Sequence, residues 1–195
     1  MFSDFEIYID YLTKSKLFDG ISPEKIEDFL STVNYKIIEF KTGEVIPTNI
    51  FDCFFVLKGS VMVFNICDNG TQVFLTTFEA DNNCVGAPGV IYEHLSCDLK
   101  IISKNNSIIM FVDSKAFIEP VYSEILTQNL VLHNLVKCLF DMTECAVEKA
   151  VMSTRSYAFE RVKEYIKFLY VKQKNDNIEI PLKRSEMAGH LNMDI

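Results

Sequence analysis

Three residues that can bind a metal or exchange electrons, Cys84, His94 and Cys97, lie within 14 positions of one another. Such a set could ligate a metal or a haem iron, or the two thiols could form a redox-sensitive disulfide. Their spacing matches no general metal-binding rule, and a polar loop histidine beside buried, inert thiols explains the same residues. We therefore predict no bound metal and no cofactor, and redox sensing by the two cysteines is left as an alternative.

Catalytic chemistry has no support in the residue pattern. The three histidines, His94, His133 and His190, are scattered along the chain and form no Ser–His or His–carboxylate arrangement. The six cysteines, at positions 53, 67, 84, 97, 138 and 145, include no CxxC pair that would indicate a zinc site. We therefore expect no catalytic residues. A cupin-type enzyme, which would need clustered histidines, is left as an alternative.

The composition indicates a folded protein of one domain or two small ones. The 195 residues are 49% hydrophobic, and they include 16 Phe and 7 Gly. No signal-peptide pattern occurs, and no run of about 18 or more apolar residues, so we expect a cytoplasmic protein without membrane contact. Charge is uneven: from Lys149 onward nine basic and six acidic side chains give +3, whereas the first 148 residues, with 10 and 21, give −11. A basic end on an acidic body indicates an anionic partner near the C-terminus.

The longest predicted element is an apolar helix in the second half of the chain. After Pro120, neither Gly nor Pro occurs again before Pro181, so a helix is predicted over residues 122–154. Its apolar residues step by threes and fours, which indicates a seam that pairs with the same helix of a second subunit. The predicted dimer interface consists of Ile125, Leu132, Leu135, Leu139, Met142 and Ala146. A core helix of a single domain is the alternative.

Short strands rich in Val, Ile and Phe precede the long helix and follow two predicted helices, at residues 5–17 and 22–33. Asn69-Gly70 between two alternating runs predicts a hairpin. Many short antiparallel strands at this spacing are typical of a small barrel or jelly roll. The long helix is followed by a predicted helix over 158–171, a short strand over 178–180 and a helix over 183–191.

Two separated blocks of sequence carry a resemblance to a known family. The first block comprises residues 40–46, 54–61 and 68–73 with Gly86, and the second comprises residues 160–162 and 180–188. In this order they resemble the Crp/Fnr superfamily of bacterial transcription regulators. The resemblance implies an α+β fold with three parts. These are a cyclic-nucleotide-binding-like sensor with a β-jelly roll (double-stranded β-helix) over residues 1–117, a dimerisation helix over 118–154 and a partial winged helix-turn-helix over 155–195.

The resemblance also implies an effector site in the sensor. Its predicted residues are Val85, Gly86, Ala87, Cys97 and Asp98, with Met142 from the long helix. The family's cyclic-AMP binders hold the ribose with a Glu and the phosphate with an Arg-Ser pair, where this chain has Ala-Pro-Gly at 87–89 and Ser-Cys-Asp at 96–98. A phosphate beside Asp98 without an Arg would be unfavourable. We therefore expect a small effector other than cyclic AMP, or a redox change, as the signal.

DNA contacts are implied at Lys183, Arg184 and Ser185, which begin the helix that resembles the first helix of the helix-turn-helix. Such side chains contact phosphates and add affinity without sequence specificity. The chain ends at residues 192–195, about where the base-reading helix would begin, which indicates either a shortened regulator or a chain cut short. We expect effector events near residues 85–97 to shift the long helix and rotate the C-terminal segments about residues 154–158.

These expectations together describe a homodimeric, cytoplasmic, DNA-binding transcription regulator that takes an unknown small-molecule effector and is not an enzyme. The dimer rests on the apolar seam, whereas the DNA and effector roles rest on the resemblance alone. A stand-alone ligand-binding or scaffolding module without sequence-specific DNA binding is the alternative.

Overall fold

The computed structural model of the chain describes residues 4–48, 50–51, 53–80, 85–86, 98–118, 125–191 and 193. The helices are α1 (Asp4–Leu12), a short 3-10 helix (Lys16–Phe18), α2 (Pro23–Thr32), α3 (Lys115–Ile118), α4 (Ile125–Ser153), α5 (Ala158–Gln173) and α6 (Arg184–His190). The strands are β1 (Tyr35–Phe40), β2 (Val45–Ile46), β3 (Cys53–Lys58), β4 (Ser60–Ile66), β5 (Gln72–Glu79), β6 (Val85–Gly86), β7 (Asp98–Ser103) and β8 (Ser107–Val112). Among the helices of these residues, none is both long enough and apolar enough to cross a membrane.

The described strands form two antiparallel sheets, with the orders β1-β8-β3-β6 and β2-β7-β4-β5. In the first sheet β8 lies between β1 and β3, and Tyr35 at the start of β1 pairs with Val112 at the end of β8. In the second sheet β4 and β5 form the hairpin that was predicted at Asn69-Gly70. Gly70 has a φ of +80°, a conformation that glycine adopts without steric cost. The two sheets confirm the predicted β roll.

The two central strands of the first sheet are buried on both faces. One face of β3 and β8 packs against the second sheet, in a cluster that includes Phe54, Val56, Ile109 and Phe111. The other face packs beneath the helices, through side chains that include Phe55, Leu57, Met110 and Val112. A strand that is covered on both sides needs apolar residues at every position, which explains the near-continuous apolar sequences of β3 and β8. The edge strand β1 is instead less buried, with Lys36 and Glu39 exposed and its other residues half-buried.

Helix α4 completes the core that lies beneath the first sheet. Val131 and Cys138 on its inner face are buried among residues of α1, α2 and the 3-10 helix. Between them lies the buried Asn134, whose side-chain amide donates to the carbonyls of Leu17 at 3.1 Å and Asp19 at 2.9 Å. This polar contact replaces water at the end of the 3-10 helix and fixes how α4 sits against the N-terminal helices.

Two predicted elements differ from the structure. The helix expected over residues 5–17 ends at Leu12 and is followed by the separate 3-10 helix, because the Ser15 side chain accepts the amide of Leu17 and caps a new start. The strand expected over residues 178–180 was wrong. The side-chain amide of Gln173 bonds both backbone groups of Glu179, at 2.6 and 2.9 Å, and so satisfies the polar groups that a partner strand would have paired.

Candidate functional site

The predicted effector site includes β6, the short strand that pairs with β3. Gly86 lies opposite Phe54 in this pairing, and Val85 lies opposite Phe55. The long helix α4 contacts β6. The strand and the helix that were expected to share an effector are therefore neighbours.

The remaining predicted effector residues are only partly placed. Asp98 begins β7, where it pairs with Ile66 of β4. Met142 is half-buried on α4 and packs against the core beneath the first sheet. Outside the described residues lie Ala87 and Cys97 of the predicted set, and also Cys84 and His94. The effector site as a whole stays a prediction.

The space between the two sheets holds one polar group that sequence reasoning missed. Asn65 follows Val63 at the alternate position of β4, and it pairs across with Val73 and Leu99. Its Oδ1 atom is buried and has no hydrogen-bond partner in the described part of the chain. A buried amide oxygen without a donor costs about 1–3 kcal/mol, which a donor on a ligand would offset. The period-two spacing of the strand was the signal that could have identified this residue.

Apolar side chains fill the described space between the two sheets. Their buried members are Ile46, Phe54, Val56, Val61, Val63, Ile101, Ile109 and Phe111. Val63 lies two positions before Asn65 on β4, so the orphan oxygen follows directly on this apolar cluster. Apolar walls favour an apolar ligand over a charged one.

The described cysteines do not form a metal or redox centre. Cys67, Cys138 and Cys145 are free thiols, and within the described ranges no three His, Cys, Asp or Glu side chains lie close enough to hold a metal ion. Burial raises the pKa of Cys138 and also of Cys145. Both side chains therefore favour the protonated, weakly nucleophilic form.

The predicted DNA-contacting residues lie together at the start of α6. Lys183 immediately precedes the helix, Arg184 and Ser185 form its first turn, and all three are exposed. The Glu186 carboxylate accepts a hydrogen bond of 2.9 Å from the backbone amide of Lys183, as in the second half of a capping box. Two exposed cations are thus presented on a helix start whose backbone is held in place.

Helix α6 belongs to a small C-terminal core. Leu191, which follows α6, is buried with Met152 at the end of α4 and with Tyr165 and Leu169 of α5, and Met187 of α6 packs against this cluster. The Leu191 carbonyl also accepts a hydrogen bond of 3.0 Å from the guanidinium of Arg161. The end of α4 and the helices α5 and α6 are therefore joined by one apolar cluster.

Two aromatic rings in this core have shifted pKa values. The rings of His190 and Tyr165 lie 5.4 Å apart. Burial, assisted by the nearby charge of Lys149, lowers the pKa of His190 to about 4. Burial raises the pKa of Tyr165 to about 12. Both side chains are therefore neutral at pH 7 in the folded protein.

The opposite side of α6 contacts the second sheet, an arrangement that sequence reasoning missed. An ideal Cβ atom at Gly189 would lie 3.1 Å from the Cβ of Phe74 on β5. Lys104, in the turn between β7 and β8, forms an ion pair of 3.3 Å with Glu186. These residues are far apart in sequence and follow no local period, so the sequence carried no signal for the contact.

The predicted dimer interface divides between two sides of α4. Leu135 and Met142 pack against the core of their own subunit, and Leu139 is half-buried. Ile125, Leu132 and Ala146 are exposed. The interface stays a prediction. The apolar residues of α4 that remain exposed lie mainly on a different face of the helix from the predicted seam.

An apolar stripe runs along the exposed side of α4, opposite Asn134. We define this outer stripe as Ile125, Leu132, Val136, Phe140, Val147 and Val151, all of which are exposed. Its members are separated by sevens and fours, so they share one face of the helix. Phe140 leaves 70% of its surface accessible. Apolar side chains in a continuous row of this length are typical of an interaction surface.

Comparison with known proteins identifies the fold. No family model matches the sequence, and no curated protein matches it. A variant of CooA from Carboxydothermus hydrogenoformans is similar with a TM-score of 0.61 at 17% identity, over 93% of this chain and 76% of that one. CprK in complex with OCPA gives 0.58 at 14%, over 88% and 77%. A protein described as a transcriptional regulator of the Crp/Fnr family from Eubacterium rectale gives 0.56 at 11%, over 93% and 82%.

These similarities show that the chain has the cyclic-nucleotide-binding-like fold of Crp/Fnr regulators. A β roll, a long helix and a smaller helical segment follow one another in the expected order. The resemblance seen in the sequence and the predicted fold class are thereby confirmed. Of these three structures, the protein from Eubacterium rectale is the one described as a transcriptional regulator.

Proposed function

We propose that the chain is the sensor and the beginning of the DNA-binding domain of a dimeric transcription regulator, whose β roll takes a small uncharged effector. The exposed cations at the start of α6 are the observation on which the DNA role depends most. They are attached through α4 to a roll whose interior is apolar. In a regulator that acts on DNA in the cytoplasm, the roll would bind the effector, α4 would connect the two ends of the chain, and the start of α6 would bind DNA.

The chemistry of the roll interior supports an uncharged effector. Asn65 presents a buried carbonyl oxygen, and Val63 on the same strand belongs to an apolar cluster between the two sheets. A ligand with an apolar body and one hydrogen-bond donor would satisfy both features. Cyclic AMP would instead bring an anionic phosphate to a site without a positive partner, close to the start of β7 at Asp98.

The outer stripe of α4 supports the homodimer. Two copies of α4 packed along this stripe would bury side chains that one subunit leaves exposed, such as Phe140 and Val147. Each large apolar side chain that becomes fully buried contributes about 1.5–3 kcal/mol. The inner face of the helix is already occupied by the sensor, so the pairing would not disturb the fold of either subunit.

The DNA role is tested by fluorescence anisotropy on a labelled duplex at several salt concentrations. We expect weak binding without base preference, because the residues involved contact phosphates. The double variant Lys183→Gln/Arg184→Gln should bind more weakly, and the slope of log affinity against log salt should fall in magnitude by about 1.8. Lys36→Gln on the edge strand β1 is the matched control and should leave the slope unchanged. An unchanged slope in the double variant would refute the DNA role and favour a stand-alone module.

The effector class is tested by native mass spectrometry of the purified protein and by thermal unfolding with added cyclic AMP. We expect co-purified small molecules to be uncharged and to be lost in the variant Asn65→Leu, which removes the acceptor. Cyclic AMP should leave the midpoint of unfolding unchanged, since a ligand stabilises only the state it binds. A rise in the midpoint with cyclic AMP would contradict the uncharged effector and leave the DNA role intact.

A further inference from the structure

The hairpin of β4 and β5 contains an irregularity at the point where it meets both α4 and α6. Val63 pairs with Thr76, but the next residue, Phe64, pairs with Phe74, so Leu75 is an extra residue on β5. Such a bulge turns a backbone carbonyl away from the ladder and bends the strand. The Leu75 carbonyl accepts a hydrogen bond from the Nζ of Lys149 on α4, and burial lowers the pKa of that lysine. The bulge is thus fastened to the long helix.

Phe74, which precedes the bulge on β5, lies against Gly189 of α6. It is only 7% exposed, and its ring meets that of Phe64 edge-on at 5.8 Å. The position of an added Cβ at Gly189, 3.1 Å from the Phe74 Cβ, is closer than ordinary van der Waals contact. The absence of a side chain at Gly189 therefore allows α6 to approach the sheet this closely.

The ion pair of Lys104 with Glu186 holds the start of α6 at the same edge of the sheet. The two side chains are 20% and 12% exposed, so this pair is shielded from solvent more than an ordinary surface pair. The backbone amide of Lys104 donates to the Ser60 carbonyl at 2.9 Å, which fixes the turn that carries it. Since Glu186 also holds the amide of Lys183, this pair connects the sheet to the residues proposed to contact DNA.

We propose that Phe64, Phe74, Leu75 and Lys104, which we call the β5 seat, bind α6 and couple its position to the interior of the roll and to α4. This inference rests on the proposed function, because it names how the proposed effector would act on the proposed DNA-contacting helix. Val73 and Thr76, on either side of the bulge, pair with Asn65 and Val63 of the interior face. A ligand that moves these pairs therefore moves the Leu75 carbonyl and Phe74 as well, and α6 is held or released at the seat.

Amide hydrogen exchange of α6, followed by mass spectrometry without DNA or effector, tests the seat. In an unattached helix, Gly189→Ala should slow exchange, because alanine favours a helix by about 1 kcal/mol over glycine. On the seat the added methyl group meets Phe74, so we expect exchange in α6 to become about fivefold faster. In a Phe74→Ala background the space is open, and the same substitution should slow exchange. If Gly189→Ala slows exchange in both backgrounds, α6 is not held by Phe74 and the inference is overturned.

The connection to α4 is tested in the same way with Lys149→Met, which keeps the length of the side chain but removes the donor to Leu75. We expect faster exchange in both β5 and α6. The matched control is Lys137→Met on an exposed face of α4, which should change neither. Equal exchange in Lys149→Met and Lys137→Met would show that α4 does not take part in the coupling. Because DNA is absent, a failure here leaves the salt-slope test of DNA binding unaffected, and a failure of that test leaves this one valid.

Discussion

The side-chain amide of Asn134 donates a hydrogen bond of 2.9 Å to the backbone carbonyl of Asp19, and so joins the long helix α4 to the N-terminal helices. The same amide also reaches the Leu17 carbonyl at 3.1 Å. One buried side chain therefore satisfies two carbonyls in a region where the neighbouring residues are apolar.

Replacing Asn134 with Ala should lower the free energy of unfolding by about 1–3 kcal/mol, because the buried Leu17 carbonyl and the part-buried Asp19 carbonyl lose their donor. Urea unfolding followed by circular dichroism measures this change. The control is Lys137→Ala, at an exposed position of the same helix that lies off the outer stripe, where alanine should be neutral or slightly stabilising. Equal effects of the two substitutions would contradict the role assigned to Asn134.

Two glycines with left-handed backbones should respond differently to substitution. Gly59 has a φ of +78°, and an added Cβ would lie 2.5 Å from the Asn106 carbonyl oxygen. Gly43 has a φ of +85°, with none of the described atoms within 4 Å of such a Cβ. We expect Gly43→Ala to cost about 1 kcal/mol from the backbone alone. Gly59→Ala should cost about 1–3 kcal/mol more, because the turn must also move. Thermal unfolding of both variants decides this, and similar losses would argue against the close approach.

Protonation of His190 should destabilise the C-terminal core. Its pKa is about 4 in the folded protein against 6.5 in the unfolded chain, so between these values the unfolded state binds more protons. The free energy of unfolding should therefore fall as the pH falls from about 6.5 to about 4 and should change no further, through this group, below that. Unfolding by urea across this range measures the slope.

The matched variants for this pH dependence are His190→Phe and His133→Gln. The first keeps a ring against Tyr165 but cannot titrate, so its stability should depend less on pH. The second changes an exposed histidine and should keep the slope of the original protein. Identical slopes in all three proteins would show that His190 is not the titrating group.

The outer stripe of α4 should control assembly. The double variant Leu132→Asp/Val136→Asp places charges on the stripe and should give monomers by analytical ultracentrifugation, since buried unpaired charges are strongly unfavourable at an interface. Its circular dichroism spectrum should be unchanged, because both side chains are exposed in one subunit. Lys137→Asp, which lies off the stripe, should leave the dimer intact. A dimer that survives the double variant would exclude this face as the interface.

The strands of the roll and the long helix could be predicted from sequence because their signals are local. The apolar runs of β3 and β8 reflect burial on both faces, and the absence of Gly and Pro set the length of α4. The side of α4 that packs against its own subunit could not be predicted in the same way. Both its inner face, with Val131 and Cys138, and its outer stripe are apolar, and periodicity alone does not say which one the sensor covers.

The contacts of α6 depend on residues that are distant in sequence. From the local sequence, Gly189 is only a residue of low helix propensity. The close approach of Phe74 explains why a glycine is present at this position. Likewise, residues 178–180 have a composition suited to a strand, but no described strand pairs with them. The side chain of Gln173 instead forms hydrogen bonds with the backbone of Glu179. The two predicted domain boundaries, after residues 117 and 154, remain predictions.

The position of β8 between β1 and β3 has a consequence for the growing chain. As synthesis proceeds from the N-terminus, the hairpin of β4 and β5 has its complete sequence early and can close on the ribosome. Tyr35–Phe40 must wait, however, until Ser107–Val112 has emerged. Until then, two strands of the first sheet have unsatisfied edges, which is the state that chaperones recognise and that favours misassembly. We expect the yield of folded protein to depend on how quickly this middle segment is translated.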